Sequence, residues 1–300
     1  MRPPASTHDS WQSALSPATR LAEVKATLKR AAAEIATFGR GAPEGTRVLL
    51  YHSVTRTGLG DAGEMTTPLG LFTEHLSILR ERGWRVVTAT DLVGALRSGA
   101  RPQPRSVVMT FDDGLADLYD VAAPLMREHG CPSTAFVTVA GLHQSDASLR
   151  HPWPGGYLTV QQARELLDLG LVDIGSHGST HARLGHAPDD VLARETAGAR
   201  EALEDLLGRT IRLFAYPFGA ADMWDERARG AARSAGYDAA FTSIFGVTGA
   251  GTDPFEIRRS RVSWRHSARE FRLLLDGAYD WYAGVQRLQV LLRDILDGVR

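Results

Sequence analysis

From Gly45 onward, short apolar runs alternate with longer segments in which apolar side chains recur every three or four positions. The runs Arg47–Tyr51, Trp84–Thr88, Ser106–Phe111, Ser133–Val139, Val172–Ser176, Leu213–Tyr216, Ala239–Thr242 and Glu256–Val262 read as strands. Several are apolar on consecutive positions, the pattern of strands covered on both faces. Between them lie helical patterns at Leu69–Arg82, Thr90–Arg97, Leu118–Glu128, Val160–Asp168, Pro188–Leu207 and Asp225–Ser234. This alternation predicts an α/β fold of parallel strands with covering helices, and seven or eight such strands close into a barrel, complete or partial. In such barrels reactive residues gather just beyond the C-terminal ends of the strands.

The flanks follow other patterns. Residues 1–16 are polar. From Pro17, apolar positions at Leu21, Val24, Leu28, Ala32 and Ile35 oppose Lys25, Lys29 and Arg30, and Gly39, Gly41 and Pro43 end the run. Residues 1–44 thus read as a polar tail and an amphipathic helical extension. Residues 266–300 read as a C-terminal helical segment, with Phe271, Leu274 and Leu275, then Val285, Leu288, Val290, Leu291, Ile295 and Leu296, suited to packing or oligomer contacts. The barrel domain is expected over residues 45–265.

Charge and composition narrow the chemistry. With 34 Lys+Arg against 35 Asp+Glu, the chain has no global field to hold nucleic acid or an anionic membrane. No apolar stretch is long enough to cross a bilayer. The first residues lack the apolar core of a secretory signal, so a cytoplasmic location is the expectation. The single cysteine, Cys131, can form neither an internal disulfide nor a Cys-rich zinc site. A metal here must rely on histidines and carboxylates.

The predicted strand ends carry such residues. Val107–Phe111 leads into Asp112-Asp113-Gly114. Adjacent carboxylates disfavour each other's ionisation. A cation on one and a proton-handling role for the other would resolve the conflict, although a helix N-terminus also favours acidic residues. Val172–Ser176 leads into His177-Gly178-Ser179-Thr180-His181, whose two imidazoles can face one side of a turn and suit zinc. Gly178 stands where HExxH proteases carry Glu, so that family does not fit. Asp113 would complete a set of two histidines and a carboxylate, with positions left for water and substrate. Tyr216-Pro217-Phe218-Gly219 forms a turn able to offer backbone N–H groups and aromatic walls to a ligand. His52, closing the first strand, shares the same rim.

Thr110-Phe111-Asp112-Asp113-Gly114, Ser176 to His181, Ala215-Tyr216-Pro217-Phe218-Gly219 and Gly236-Tyr237 through Thr242 together resemble the polysaccharide deacetylase family. This is the NodB-homology group, carbohydrate esterase family 4. Tyr51-His52-Ser53-Val54 is similar to the branch that includes poly-N-acetylglucosamine deacetylases. The resemblance spans about residues 45–262. It implies a distorted (β/α)7-type barrel, NodB-like, with N- and C-terminal helical extensions outside it. It further implies metal-dependent removal of N-acetyl groups from hexosamine residues of a poly- or oligosaccharide, releasing acetate. Carried over by position, Asp113, His177 and His181 would hold a divalent metal, with Zn2+ the default and Co2+, Ni2+ or Mn2+ also compatible. Asp112 would be the general base. The Phe218 N–H would help hold the oxyanion, where the family usually has Tyr, and Tyr216 to Gly219 would face substrate.

Two positions depart from the family. Many members carry Arg where Ala215 stands, to hold the catalytic Asp; Arg259 is the candidate replacement, with Arg261 nearby. The late Leu-x-Ile-His motif, which supplies the acid histidine, has no clear match. His266 lies in the right region among different neighbours, and His52 is the other candidate, so the acid stays open. Two other functions remain alongside: hydrolysis of another non-peptide C–N bond, such as a formamide or cyclic imide, and glycan binding without turnover.

Overall fold

The structure, a computed structural model, describes residues 31, 43–56, 65–143 and 155–288. The first strand, β1 (Thr46–Tyr51), is followed by the short pair β2 (Ser53–Thr55) and β3 (Thr66–Pro68), then α1 (Leu69–Glu81), β4 (Arg85–Val86), α2 (Ala89–Arg97) and β5 (Ser106–Phe111). A π-helical turn at Leu118–Ala122 opens into α3 (Ala123–Glu128), followed by β6 (Ser133–Val137), α4 (Val139–His143), α5 (Val160–Asp168) and β7 (Val172–Ser176). Next come α6 (Asp189–Ala193) and α7 (Ala199–Leu207), joined through a π-helical turn at Arg194–Gly198, then β8 (Leu213–Ala215), α8 (Glu226–Ser234) and β9 (Ala239–Phe241). The order ends with β10 (Val247–Thr248), β11 (Ser260–Arg261) and α9 (Ala268–Leu275).

Strands β1, β5, β6, β7, β8 and β9 lie side by side and parallel in one curled sheet. Its two ends approach through the stretch before and within β11. Ile257 bridges to Phe241 of β9, and Ser260 and Arg261 pair with Leu49 and Leu50 of β1. The result is the expected distorted barrel, with β11 as a thin seventh parallel strand. At the base, β4 pairs with the start of β5, and β10 runs antiparallel to the start of β1.

Strand alternation divides the residues between two faces. Leu49, Tyr51, Val107, Met109, Ile174, Phe214 and Tyr216 belong to the core between sheet and helices. Val48, Val108, Phe136, Leu213, Ala215, Phe241 and Ile257 fill the barrel together with Ala89, Leu92 and Val93 of α2, which plugs the base. Gly175 leaves room for the Phe136 ring, which a Cβ there would meet at 2.6 Å. The same parity places His52, Asp112, His177 and Arg259 on the inner face above this apolar floor.

Several expected boundaries move for local reasons. The strand expected at Trp84–Thr88 shrinks to Arg85–Val86, because Thr88 caps α2 in a reciprocal capping box with Asp91. The strand expected through Val139 stops at Val137, since α4 begins there. Pro254–Glu256 forms a 3-10 turn, so the final strand starts later than its apolar pattern suggests. The β2–β3 pair was not among the expected elements. The amphipathic helix expected before residue 44 and the apolar positions 290–296 lie outside the described residues, apart from residues 31 and 43. Among the described residues, no helix is long and apolar enough to cross a membrane.

The C-terminal segment is fastened to the barrel at two places. Phe271, Leu274 and Leu275 of α9 are buried in the outer core. The His75 ring of α1 stacks on Phe271 with centroids 4.0 Å apart, its Nε2–H donating to the His266 carbonyl at 2.7 Å and its Nδ1 accepting from the Tyr51 hydroxyl at 3.2 Å. Lower down, Arg47 on β1 is fully buried and donates to Asp280 at 2.5 and 3.0 Å and to Ser260 Oγ at 3.2 Å. Removing one partner of such a pair strands a buried charge. Asp280→Asn is expected to lower the unfolding free energy by about 2–3 kcal/mol, less than for a wholly buried pair because Asp280 is partly exposed. An unchanged denaturant midpoint would contradict this role.

Burial lowers the pKa of His75 from 6.5 to about 3. The unfolded chain therefore takes up a proton at this position at a higher pH than the folded one. Its contribution to stability is complete above the unfolded value and drains away as pH falls from 6.5 toward 3. Between pH 7.5 and 5 the loss from this group is about 2 kcal/mol. In urea titrations, His75→Gln should flatten the difference between those two pH values by that amount; equal differences in both proteins would refute the assignment.

Candidate active site

The site occupies the end of the barrel where the parallel strands terminate. After β5, Asp112 keeps the inward parity and Asp113 turns into the left-handed region at φ 72°. Gly114 follows at φ 67°, where a Cβ would meet Val137 Cγ1 at 2.9 Å. After β7, His177 stays on the inner face and His181 takes φ 61°; after β8, Phe218 takes φ 63°. Of the five described non-glycine residues with positive φ, three are therefore at this mouth. Each conformation costs about 1 kcal/mol or more, and such strain clusters where side-chain placement matters.

Asp113 Oδ1 lies 3.6 Å from His177 Nε2 and 3.5 Å from His181 Nε2. One ligand atom from each of the three residues lies within 4.8 Å of the others, a spacing that can surround one cation. His177 Nδ1 donates to the Ala215 carbonyl at 2.8 Å, which fixes the tautomer and leaves Nε2 with its lone pair toward the carboxylates. Burial lowers the His177 pKa to about 4, partly countered by the charge of Asp112, so the imidazole is neutral near pH 7. That is the form that binds metal.

The neighbouring carboxylates are driven apart electrically. Burial by itself would raise the Asp112 pKa, but Arg259 outweighs it and holds the group down at about 2. The guanidinium grips Asp112 with two bonds, Nη1 to Oδ1 at 2.6 Å and Nη2 to Oδ2 at 2.8 Å. Its Nε donates to the Thr242 carbonyl at 2.7 Å, and Nη1 also reaches Thr110 Oγ1 at 3.2 Å. Asp113 has no such partner. Burial and then the charge of Asp112 raise its pKa to about 7. A cation among Asp113, His177 and His181 would remove that penalty, so the donor set fits a divalent metal in chemistry as well as spacing.

Most residues singled out in the sequence converge here, and two, Tyr216 and His266, do not. Asp112, Asp113, His177, His181 and Arg259 form the cluster. Phe218 is 49% exposed, with its ring 4.5 Å from that of His181, and its N–H donates to no protein acceptor among the described residues. Pro217 packs near Gly178, and Gly219 lies against Ser243. His52 is buried near the cluster, where Asp112, Arg259, Arg261 and His177 all act on it. Burial chiefly lowers its pKa to about 3, and its Nδ1 has no partner among the described residues. Tyr216 does not line the site: β8 parity turns it into the outer core, with its ring stacked on Trp224 at 4.6 Å and its hydroxyl on the Phe255 carbonyl. His266 accepts the Ser263 N–H at Nδ1, and its ring neighbours Tyr279 in the C-terminal segment.

Two supporting residues were not anticipated. Glu195, fully buried, accepts from the N–H groups of Ser179 and Thr180 at 2.9 Å and from the Thr180 hydroxyl at 2.8 Å, bracing the loop between the two histidines. A Glu on the helix stripe Leu192, Thr196, Ala199 and Leu203 was the available signal. Asp117 accepts the Ser53 hydroxyl, and burial raises its pKa to about 6.

Comparison with known proteins agrees with the geometry. Residues 99–240 match the family described as polysaccharide deacetylase. YxkH of Bacillus subtilis (strain 168), assigned to the polysaccharide deacetylases, is 25% identical over 232 residues, 77% of this chain and 75% of its own length. Among solved structures, IcaB from Ammonifex degensii superposes with a TM-score of 0.66 at 25% identity, covering 78% of this chain and 98% of that one. The Streptococcus pyogenes deacetylase PplD, solved with acetate, shares the fold with a TM-score of 0.67 at 21% identity over 78% of this chain and 99% of its own. The chain is thus similar to polysaccharide deacetylases in sequence, over residues 99–240 for the family as a whole, and in fold.

Because Glu195 braces the loop rather than touching the cation position, Glu195→Gln should weaken divalent-metal affinity by about 10–100-fold, the range typical of supporting hydrogen bonds around a metal site. Competition against a chromophoric chelator measures this directly. Unaltered affinity in a folded variant would remove Glu195 from the site's support.

Proposed function

We propose that the protein is a metal-dependent N-deacetylase that hydrolyses the acetamido groups of hexosamine residues in a poly- or oligosaccharide and releases acetate. The observation that carries this reading is the convergence of Asp113, His177 and His181 beside a second carboxylate kept ionised by Arg259. The three donors suit zinc, with cobalt, nickel or manganese also compatible. When bound, the metal would polarise the amide carbonyl and acidify water, which an unreactive amide requires.

The remaining work falls to the chain itself. Asp112 accepts the proton of the attacking water, and Arg259 positions it and keeps it available for that role. The Phe218 N–H is the donor for the oxyanion that forms as the carbonyl carbon becomes tetrahedral. Pro217 and the exposed Phe218 ring form one wall for the sugar. The departing nitrogen must leave as an amine. His52 is the candidate for protonating it, and because burial keeps the free imidazole neutral, the proton it delivers is the one Asp112 collected.

Acetate release from N-acetylglucosamine oligomers by zinc- or cobalt-loaded protein tests the reading. Asp112→Asn should lower turnover by about a thousandfold while retaining metal, whereas Asp113→Ala should lose the metal. Formylated and cyclic imide substrates complete the panel. Turnover confined to those compounds, or glycan binding with no acetate from any N-acetylated glycan, would overturn the proposal.

A further inference from the structure

Arg261 has no role in the chemistry above, yet it stands at the mouth. Strand alternation puts it on the same inward face as Arg259, one layer closer to solvent. Its charge acts on the buried His52 from that position. Arg259 has its guanidinium engaged by Asp112, Thr110 and Thr242, and the terminal nitrogens of Arg47 bind Asp280 and Ser260, leaving only its Nε without a partner among the described residues. Arg261 is half-buried and makes no side-chain hydrogen bond or ion pair among the described residues.

A guanidinium presents five donors and no acceptor, and withdrawing it partly from water without a counter-charge is unfavourable. Among the described residues no carboxylate pairs with Arg261. Arg259 offsets Asp112, and a divalent cation would more than offset Asp113. Arg261 thus adds a positive charge near His52 at the strand-end rim that no carboxylate of the described residues pairs with.

Resting on the deacetylase reading, we propose that Arg261 selects glycans carrying an anionic substituent, a carboxylate or a phosphate, on or next to the acetamido sugar. Both groups accept two parallel bonds from a guanidinium. A neutral sugar offers only hydroxyls there.

The test compares paired N-acetylhexosamine oligosaccharides, neutral or bearing one carboxylate or one phosphate on the adjacent unit, with metal-loaded wild type, Arg261→Gln and Arg261→Lys. Wild type should favour an anionic member by about tenfold in kcat/KM, as expected for one charged hydrogen-bonding contact. The difference should lie mainly in KM and shrink with added salt. Arg261→Gln should bring the ratio near one, and Arg261→Lys should restore part of it. The carboxylate and phosphate arms show which group is read. Equal kcat/KM on neutral and anionic members in wild type, or a preference that survives Arg261→Gln, overturns the proposal while leaving N-deacetylation intact. If no member is hydrolysed, the deacetylase reading fails instead. Calorimetry on the same oligosaccharides then decides: binding of an anionic member about tenfold weaker in Arg261→Gln supports the role, and equal binding ends it.

Discussion

Arg259 reaches from the closing segment of the barrel to Asp112 at the end of β5, and both groups are withdrawn from water. In this setting the pair does two jobs at once. It ties the seam between β9, β11 and β1 to the end of β5, the strand on the other side of β1, and it keeps a buried carboxylate ionised. Neither job is secured by backbone alone. The closing strand contributes only two residues to its ladder with β1. A second fully buried arginine, Arg47, joins β1 to Ser260 and Asp280 lower on the same seam. Side-chain pairs thus complete a closure that the short ladder begins.

The same pair separates two carboxylates that would otherwise compete for one proton. Asp112 is held near the bottom of the carboxylate range, while Asp113, next in sequence and turned the other way by its left-handed backbone, is pushed toward neutrality. Their inequality is an outcome of placement, since the residue types are identical. One is ready to take a proton, and the other gains most from a cation. The strained conformations of Asp113, His181 and Phe218 make the separation possible. They are retained because Gly114, the Glu195 brace and the packing of Gly219 on Ser243 leave the chain no easier path.

Much of this was legible in the sequence. Apolar strands ending abruptly in Asp-Asp-Gly, His-x-x-x-His and Pro-Phe-Gly marked both the barrel and its reactive end, because consecutive burial and sudden polarity are visible without coordinates. Arg259 could be named from the family resemblance, near the end of a predicted strand, although its two bonds to Asp112 depend on how the barrel closes. Tyr216 was misplaced for a simpler reason: with Leu213 and Ala215 facing inward, the next residue must face out. Glu195 was hidden because its job depends on a loop that precedes it by fifteen positions, brought near by the π-helical turn at Arg194–Gly198. Local pattern reports which face is buried, but not which backbone N–H groups wait there.

The inward positions of the closing segment show how the fold grades its interior from packing to chemistry. Ile257 lies in the apolar filling with Phe241 and Val48, above the helix that plugs the base. Arg259 comes next, over the Phe136 ring at 5.4 Å, where exclusion of water makes its pairing with Asp112 both necessary and strong. Arg261 follows at the half-exposed mouth, without a protein acceptor among the described residues. Each step is two residues along one strand direction, and each moves closer to solvent. An arginine in the middle layer must be satisfied by the protein, because nothing else can reach it. At the mouth that requirement lapses, since an arriving ligand can supply the acceptor. The apolar floor therefore does more than stabilise the barrel: by keeping water from the middle layer, it makes Asp112 depend on Arg259, while the next arginine along the strand stays free to meet what binds.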